Sequence, residues 1–151
     1  GVVAPATKDE TVVVSTDLYP TILEMLGVAR KPEQVVDGES LVPLLRRSGA
    51  LHREAVFFYF PHGLSMCPAG VAVRRGDWKL IRWYETNDTH PTPHELYDLR
   101  KDAGQVRNVA NNPEYAKKQQ ELAAMLTQKL KDSGDPRIQG QGDRFNRYRS
   151  Q

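Results

Sequence analysis

The chain has 151 residues, 39% hydrophobic and 26% charged, a balance that suits a domain with a buried core and excludes disorder throughout. Its formal net charge of +2 is too small a field to recruit nucleic acid, and no apolar run reaches the roughly 20 residues that cross a bilayer, so neither nucleic acid nor membrane is an expected partner. Cys67 is the single cysteine, which excludes an internal disulfide and a zinc site of several thiolates.

Gly1-Val2-Val3-Ala4-Pro5 lacks the basic region and apolar core of a signal peptide, so the chain is expected to carry no address of its own. Thr11-Val12-Val13-Val14 is a β-branched run that predicts a short strand. Ser15, Thr16 and Asp17 then offer acceptors to a helix start, and Asp17 reads as a cap, not as a metal carboxylate. Leu18, Ile22, Met25 and Leu26 fall on one helical face that ends at Gly27. After Lys31-Pro32, the run Asp37-Gly38-Glu39-Ser40 predicts a turn and cap, followed by helical turns from Leu41 to Arg47 and a stop at Ser48-Gly49.

From residue 54 the periodicity changes. Ala55 to Phe60 is a nearly unbroken apolar run that predicts a strand buried on both faces. Val71-Ala72-Val73-Arg74 and Trp78 to Tyr84 flank Arg75-Gly76-Asp77 as a hairpin, and Glu95 to Leu99 adds a fourth strand after an exposed loop, Glu85 to Pro93. Asn112 caps a last helix with Pro113 at its first position, and Leu122, Met125, Leu126 and Leu130 form its apolar stripe up to Ser133-Gly134. The expected class is α+β, a four-stranded antiparallel sheet packed with a C-terminal amphipathic helix. The segment Asp135 to Gln151 has no periodicity.

Several segments, in order, resemble the C-terminal part of the type I sulfatases. Ser15 to Leu23 looks like the family's S-x-D-L-Y-P-T-L-L, and Asp37 to Leu45 its D-G-x-S-L-L-P-L-L. Gly76-Asp77-Trp78-Lys79-Leu80-Ile81 and Glu95-Leu96-Tyr97-Asp98-Leu99 look like its GDWKLI and ELYDL strands, and Asp102 with Asn108 like its D-x-x-E-x-x-N turn. Gly134-Asp135-Pro136-Arg137 and Gly142-Asp143-Arg144-Phe145 are similar to the ends of an arylsulfatase or sulfamidase-like branch. The resemblance implies residues 1–50 as a strand-helix remnant that ends a large α/β domain, 51–134 as the small sheet subdomain, and 135–151 as an irregular tail. It implies a sulfuric ester hydrolase with calcium and a formylglycine, both held by an N-terminal domain in cis, and a sulfated small molecule or sugar as substrate. It favours a periplasmic or secreted location. The family's modified cysteine sits in Cys-x-Pro-x-Arg; Cys67-Pro68-Ala69-Gly70 does not match it, so no catalytic or metal residue is expected in this chain. The alternative is a stand-alone, non-catalytic α+β interaction module.

His62, in Tyr59-Phe60-Pro61-His62, resembles the Y-P-H segment at the mouth of the substrate pocket and is the one expected substrate-binding residue; the bland reading is a loop histidine after a strand. Cys67 reads as a small packed residue, not an activated thiol. His90 and His94 are four apart, but in a Pro-broken loop that does not set a helical metal pair. Lys79, Arg74 and Arg75 read as surface or hairpin charges. Trp78, Trp83 and Tyr84 suit either a sugar-stacking platform or cross-strand core pairs. Arg144 to Arg149 interleaves cations with aromatics, a pattern too short to establish a nucleic-acid surface.

Overall fold

The computed structural model describes residues 3, 5–60, 68–142 and 144, which fall into two units, Gly1–Glu54 and Ala55–Gln151. In the second unit, β1 (Val56–Phe60), β2 (Gly70–Arg75), β3 (Trp78–Trp83) and β4 (His94–Asp98) form one antiparallel sheet in the order β1-β2-β3-β4. Arg75 pairs with Trp78, so the hairpin turn is Gly76-Asp77 alone, and Gly76 takes the positive φ of 57° that such a turn needs.

Alternation sends Val71, Val73, Leu80 and Leu96 to one face. There they meet Leu122, Leu126 and Leu130, one residue per turn of α3 (Ala116–Asp132), and these seven side chains are the core. Each fully buried leucine contributes roughly 2 kcal/mol by leaving water. Asn112 caps the helix as its sequence predicts, accepting the Glu114 N–H at 3.0 Å, and a 3₁₀ turn, Pro113–Tyr115, comes first.

In the first unit, α1 (Leu18–Leu26) ends at Gly27, whose φ is 65°, and α2 (Val42–Leu45) is a single turn. Two expectations are corrected here. Thr11 to Val14 forms no strand, because a strand needs a ladder partner and none of the described residues pairs with it; the run passes directly into a 3₁₀ turn, Ser15–Asp17. Asp17 stands at the N-cap of α1, but its side chain accepts no N–H of that helix and instead turns back to Val14 ahead of the 3₁₀ turn. It lies wholly buried, accepting the Val14 N–H at 2.8 Å, the Glu39 N–H at 3.0 Å and both arms of the Arg53 guanidinium.

A third correction concerns β1. An unbroken apolar run suits a strand covered on both faces, yet β1 is an edge strand, and Phe58, Tyr59 and Phe60 are each 45–47% exposed. The same holds for α1. Its predicted apolar face is present, but Leu18, Ile22, Met25 and Leu26 are 53–69% exposed. In both elements the hydrophobic pattern exceeds what the described residues cover.

Candidate functional site

The register brings two connectors to one end of the sheet. Phe60 pairs with Gly70, Gly70 pairs with Trp83, and the Trp83 N–H donates to the Pro93 carbonyl at 2.9 Å. Phe60, Gly70, Trp83 and Pro93 therefore stand at the same end of the sheet, opposite the Gly76-Asp77 turn, and the 84–93 loop begins and closes there. His62 and Cys67 lie outside the described residues.

On the face turned away from α3, this end is built around a buried carboxylate. Glu95, 8% exposed, accepts hydrogen bonds from the Trp83 indole Nε1 at 2.9 Å and the Tyr97 hydroxyl at 2.8 Å, and its Oε1 lies 2.9 Å from Nδ1 of His90. Burial pushes the Glu95 carboxyl up, but the hydrogen bonds from His90, Trp83 and Tyr97 together outweigh it and hold the group below its ordinary range. Burial, then the bond to Glu95, raises the Tyr97 hydroxyl. The Trp83 ring lies across Gly70, where a Cβ would come within 2.7 Å of it, so only glycine admits the indole. The His90 ring packs on Trp83 with centroids 4.3 Å apart, and an Asn87-His90 turn holds its backbone, the His90 N–H donating to Asn87 Oδ1 at 2.8 Å.

The α3 side of the same end is closed by a second group. The Tyr59 hydroxyl donates to buried Asp135, which also accepts the Arg137 N–H at 2.8 Å, and the Arg137 guanidinium lies 4.1 Å from the centre of the Tyr84 ring. Burial first, and then Asp135, pushes the Tyr59 hydroxyl upward.

Of the two readings open for Trp78, Trp83 and Tyr84, the packed one holds for Trp78 and Tyr84, and no stacking trio forms. Trp78 faces α3 and packs on Tyr115 at 5.2 Å, Tyr84 packs against the core, and only Trp83 reaches the Glu95 cluster. His90 and His94 also separate, since strand alternation turns His94 to the face opposite Glu95; burial and nearby Arg82 lower its pKa. Lys79 is half-buried, donating to Gln105 Oε1 at 2.6 Å with its ammonium 5.8 Å from the Phe58 ring, and Arg75 pairs with Glu121 at 2.5 Å. Glu95 and its role were not read from the sequence. A lone acid in an alternating strand reads as solvent-facing, and the only available signal was the Tyr two positions on.

Among the described residues no three His, Cys, Asp or Glu side chains converge, and the three buried carboxylates Asp17, Glu95 and Asp135 already have their oxygens occupied by donors. The described residues thus do not fit the calcium that the resemblance implies, and no step through it or through formylglycine is assigned to them.

Residues 1–132 match the family model described as N-sulphoglucosamine sulphohydrolase, C-terminal. The chain belongs to the type I sulfatase family, as its C-terminal portion. It is 33% identical over 134 residues to an N-acetylglucosamine-6-O-sulfatase of Bacteroides thetaiotaomicron, covering 82% of this chain and 22% of that protein. To arylsulfatase K of Mus musculus it is 28% identical, over 91% of this chain and 24% of the relative. A solved structure in complex with its substrate D-glucosamine-2-N,6-O-disulfate superposes at a TM-score of 0.66 with 30% identity, covering 80% of this chain and 24% of that one. The chain spans about a quarter of the length of these relatives.

The geometry explains why the sulfatase motifs hold the residues they do. In D-x-x-E-x-x-N, Asp102 accepts the Val106 and Arg107 N–H groups at 3.2 and 2.8 Å. Asn108 Oδ1 accepts the N–H of Leu96 at 3.0 Å while its Nδ2 donates to the His94 carbonyl at 3.2 Å, so the amide stands in for a neighbouring strand along the outer edge of β4. At the family's Glu position this sulfatase domain has Gln105, in a left-handed conformation with φ of 55°, which meets Lys79 without a countercharge.

Proposed function

We propose that this chain works as the C-terminal portion of a sulfatase acting on a sulfated sugar, completing the fold and shaping the rim of the substrate pocket. The observation that carries the reading is the match of residues 1–132 to the C-terminal region of a sulphohydrolase, in a chain whose one cysteine lacks the family's modification sequence. Calcium and formylglycine then belong to the large domain in cis, of which residues 1–50 are the end, with 51–134 as the small subdomain and 135–151 as its tail. The exposed apolar face of α1 supports docking in cis over a stand-alone module, since a free module gains nothing from that surface. The names of the relatives point to an amino sugar sulfated on N or on O6 as the substrate class. His62 is the rim residue, reaching the sugar or the ester group, and the chain alone is inactive.

Two assays test this. The 151-residue chain, supplied with calcium and aryl or sugar sulfates, should show no turnover; turnover that survives Cys67→Ala would overturn the assignment of the chemistry to other residues. In the full-length enzyme His62→Ala should lower kcat/KM about tenfold or more, and an unchanged value removes His62 from the rim.

A further inference from the structure

We infer that His90 is a second sugar-contacting residue, held in position by Glu95; this rests on the pocket-rim reading given above. The 84–93 loop starts and ends at the same end of the sheet as Phe60 and Gly70, the strand residues nearest His62 that the structure describes. At that end the imidazole is placed with unusual constraint for a loop side chain. Glu95 engages Nδ1 at 2.9 Å, Trp83 supports the ring face at 4.3 Å, and Gly70 admits the indole behind it. Among the described residues the other ring nitrogen, Nε2, has no hydrogen-bond partner, and the side chain remains 23% exposed.

A carboxylate on Nδ1 fixes the tautomer and orientation of an imidazole and leaves Nε2 to meet a ligand. The Glu95 oxygens are also bonded to Trp83 and Tyr97, so the orienting group is itself held from both sides. A polar nitrogen beside an aromatic edge matches the chemistry of a sugar, whose ring oxygens and hydroxyls need hydrogen bonds and whose C–H face packs on an indole. The ligand class is therefore a sulfated monosaccharide unit, with Nε2 meeting a sugar hydroxyl or the ring oxygen. A simple aryl sulfate has no sugar to offer this nitrogen.

The test compares two substrates in the full-length enzyme that carries this chain: N- or 6-O-sulfated glucosamine, and 4-nitrophenyl sulfate, which has no hydroxyl. His90→Ala should lower the ratio of sugar to aryl kcat/KM about tenfold, mainly through KM for the sugar. His90→Gln, which keeps a hydrogen-bonding tip, should recover part of it, and Glu95→Gln should fall between the wild type and His90→Ala. Equal losses on both substrates for His90→Ala and His90→Gln, or no change in the ratio, overturn the inference and leave the cluster as a loop anchor. Wild-type turnover of the aryl sulfate alone overturns it while preserving the sulfatase reading. Turnover of neither substrate overturns both.

Discussion

Asp17 and Arg53, 36 positions apart, meet through two hydrogen bonds of 2.5 and 2.8 Å, and the carboxylate they share is the most buried charge in the first unit. Arg53 also reaches the Val12 carbonyl at 2.6 Å, while Thr21 donates to the Asp17 carbonyl at 2.5 Å and accepts the Leu41 N–H at 2.8 Å. The Asp17 side chain thus ties the Val14 and Glu39 backbone, while Arg53 and Thr21 bind Val12 and Leu41 into the same knot. Removing a partner leaves a buried charge uncompensated, so Asp17→Ala or Arg53→Ala should each destabilise the unit by about 3 kcal/mol. Urea unfolding of the two single variants and the double variant would measure the pair. A double variant as unstable as the sum of the singles would show the two residues to be uncoupled.

The same knot sets an acid limit. Burial alone would raise the Asp17 carboxyl above its ordinary 3.8, but the Arg53 hydrogen bonds and the Val14 and Glu39 N–H groups outweigh it and leave the folded pKa below that value. Glu95 is displaced in the same direction from 4.5. A carboxyl depressed in the folded state contributes stability that is complete above its unfolded pKa and disappears as pH falls through the folded one. Stability should therefore hold from pH 6 to about 5 and fall below roughly pH 4. Urea midpoints across this range check it, and Asp17→Asn should flatten the acid limb; an unchanged limb would assign acid sensitivity to other carboxyls.

Asn108 offers a local test of the edge of β4. Its Oδ1 accepts two backbone N–H groups, from Leu96 and Ala110 at 3.0 and 2.9 Å, beside a Val109 N–H that donates to the Leu96 carbonyl at 2.9 Å. Asn108→Ala leaves the partly buried Leu96 N–H without its acceptor and should cost about 2 kcal/mol. Asn108→Asp keeps the acceptor and loses the donation to His94, so its cost should be smaller. Thermal unfolding ranks the two, and the reverse order would mean that the Nδ2 contact dominates.

What the sequence made legible was whatever repeats along the chain. Leu122, Leu126 and Leu130 announce the face of α3, the Gly76 turn sets the hairpin register, and Asn112-Pro113 marks the helix start. What it hid depends on partners far off in sequence. Asp17 followed by Leu18 looks like a cap because the Arg that claims it is 36 residues away, and Gly38 looks like an ordinary turn glycine although a Cβ there would lie 2.1 Å from the Thr16 carbonyl oxygen. Glu95 and His90 carry no spacing rule at all; the sheet register and the 84–93 loop bring them together. Strand Thr11 to Val14 failed for a related reason, since β-branching prepares a backbone for pairing but supplies no partner.

The exposed face of α1 leads to the last prediction. Leu18, Ile22, Met25 and Leu26 recur at helical spacing and are all more than half exposed, a contiguous apolar surface of the kind that soluble monomers avoid. If residues 1–50 are the end of a larger domain, this face packs in cis in the full-length enzyme and is left uncovered when the 151 residues are made alone. The isolated chain should then self-associate at micromolar concentration, and Ile22→Glu with Met25→Glu should restore a monomer in sedimentation without lowering the unfolding midpoint. In the full-length enzyme the same pair should be strongly destabilising, because two carboxylates would be buried without partners. Equal tolerance of the pair in both settings would show that α1 faces solvent in each, and would favour the stand-alone module.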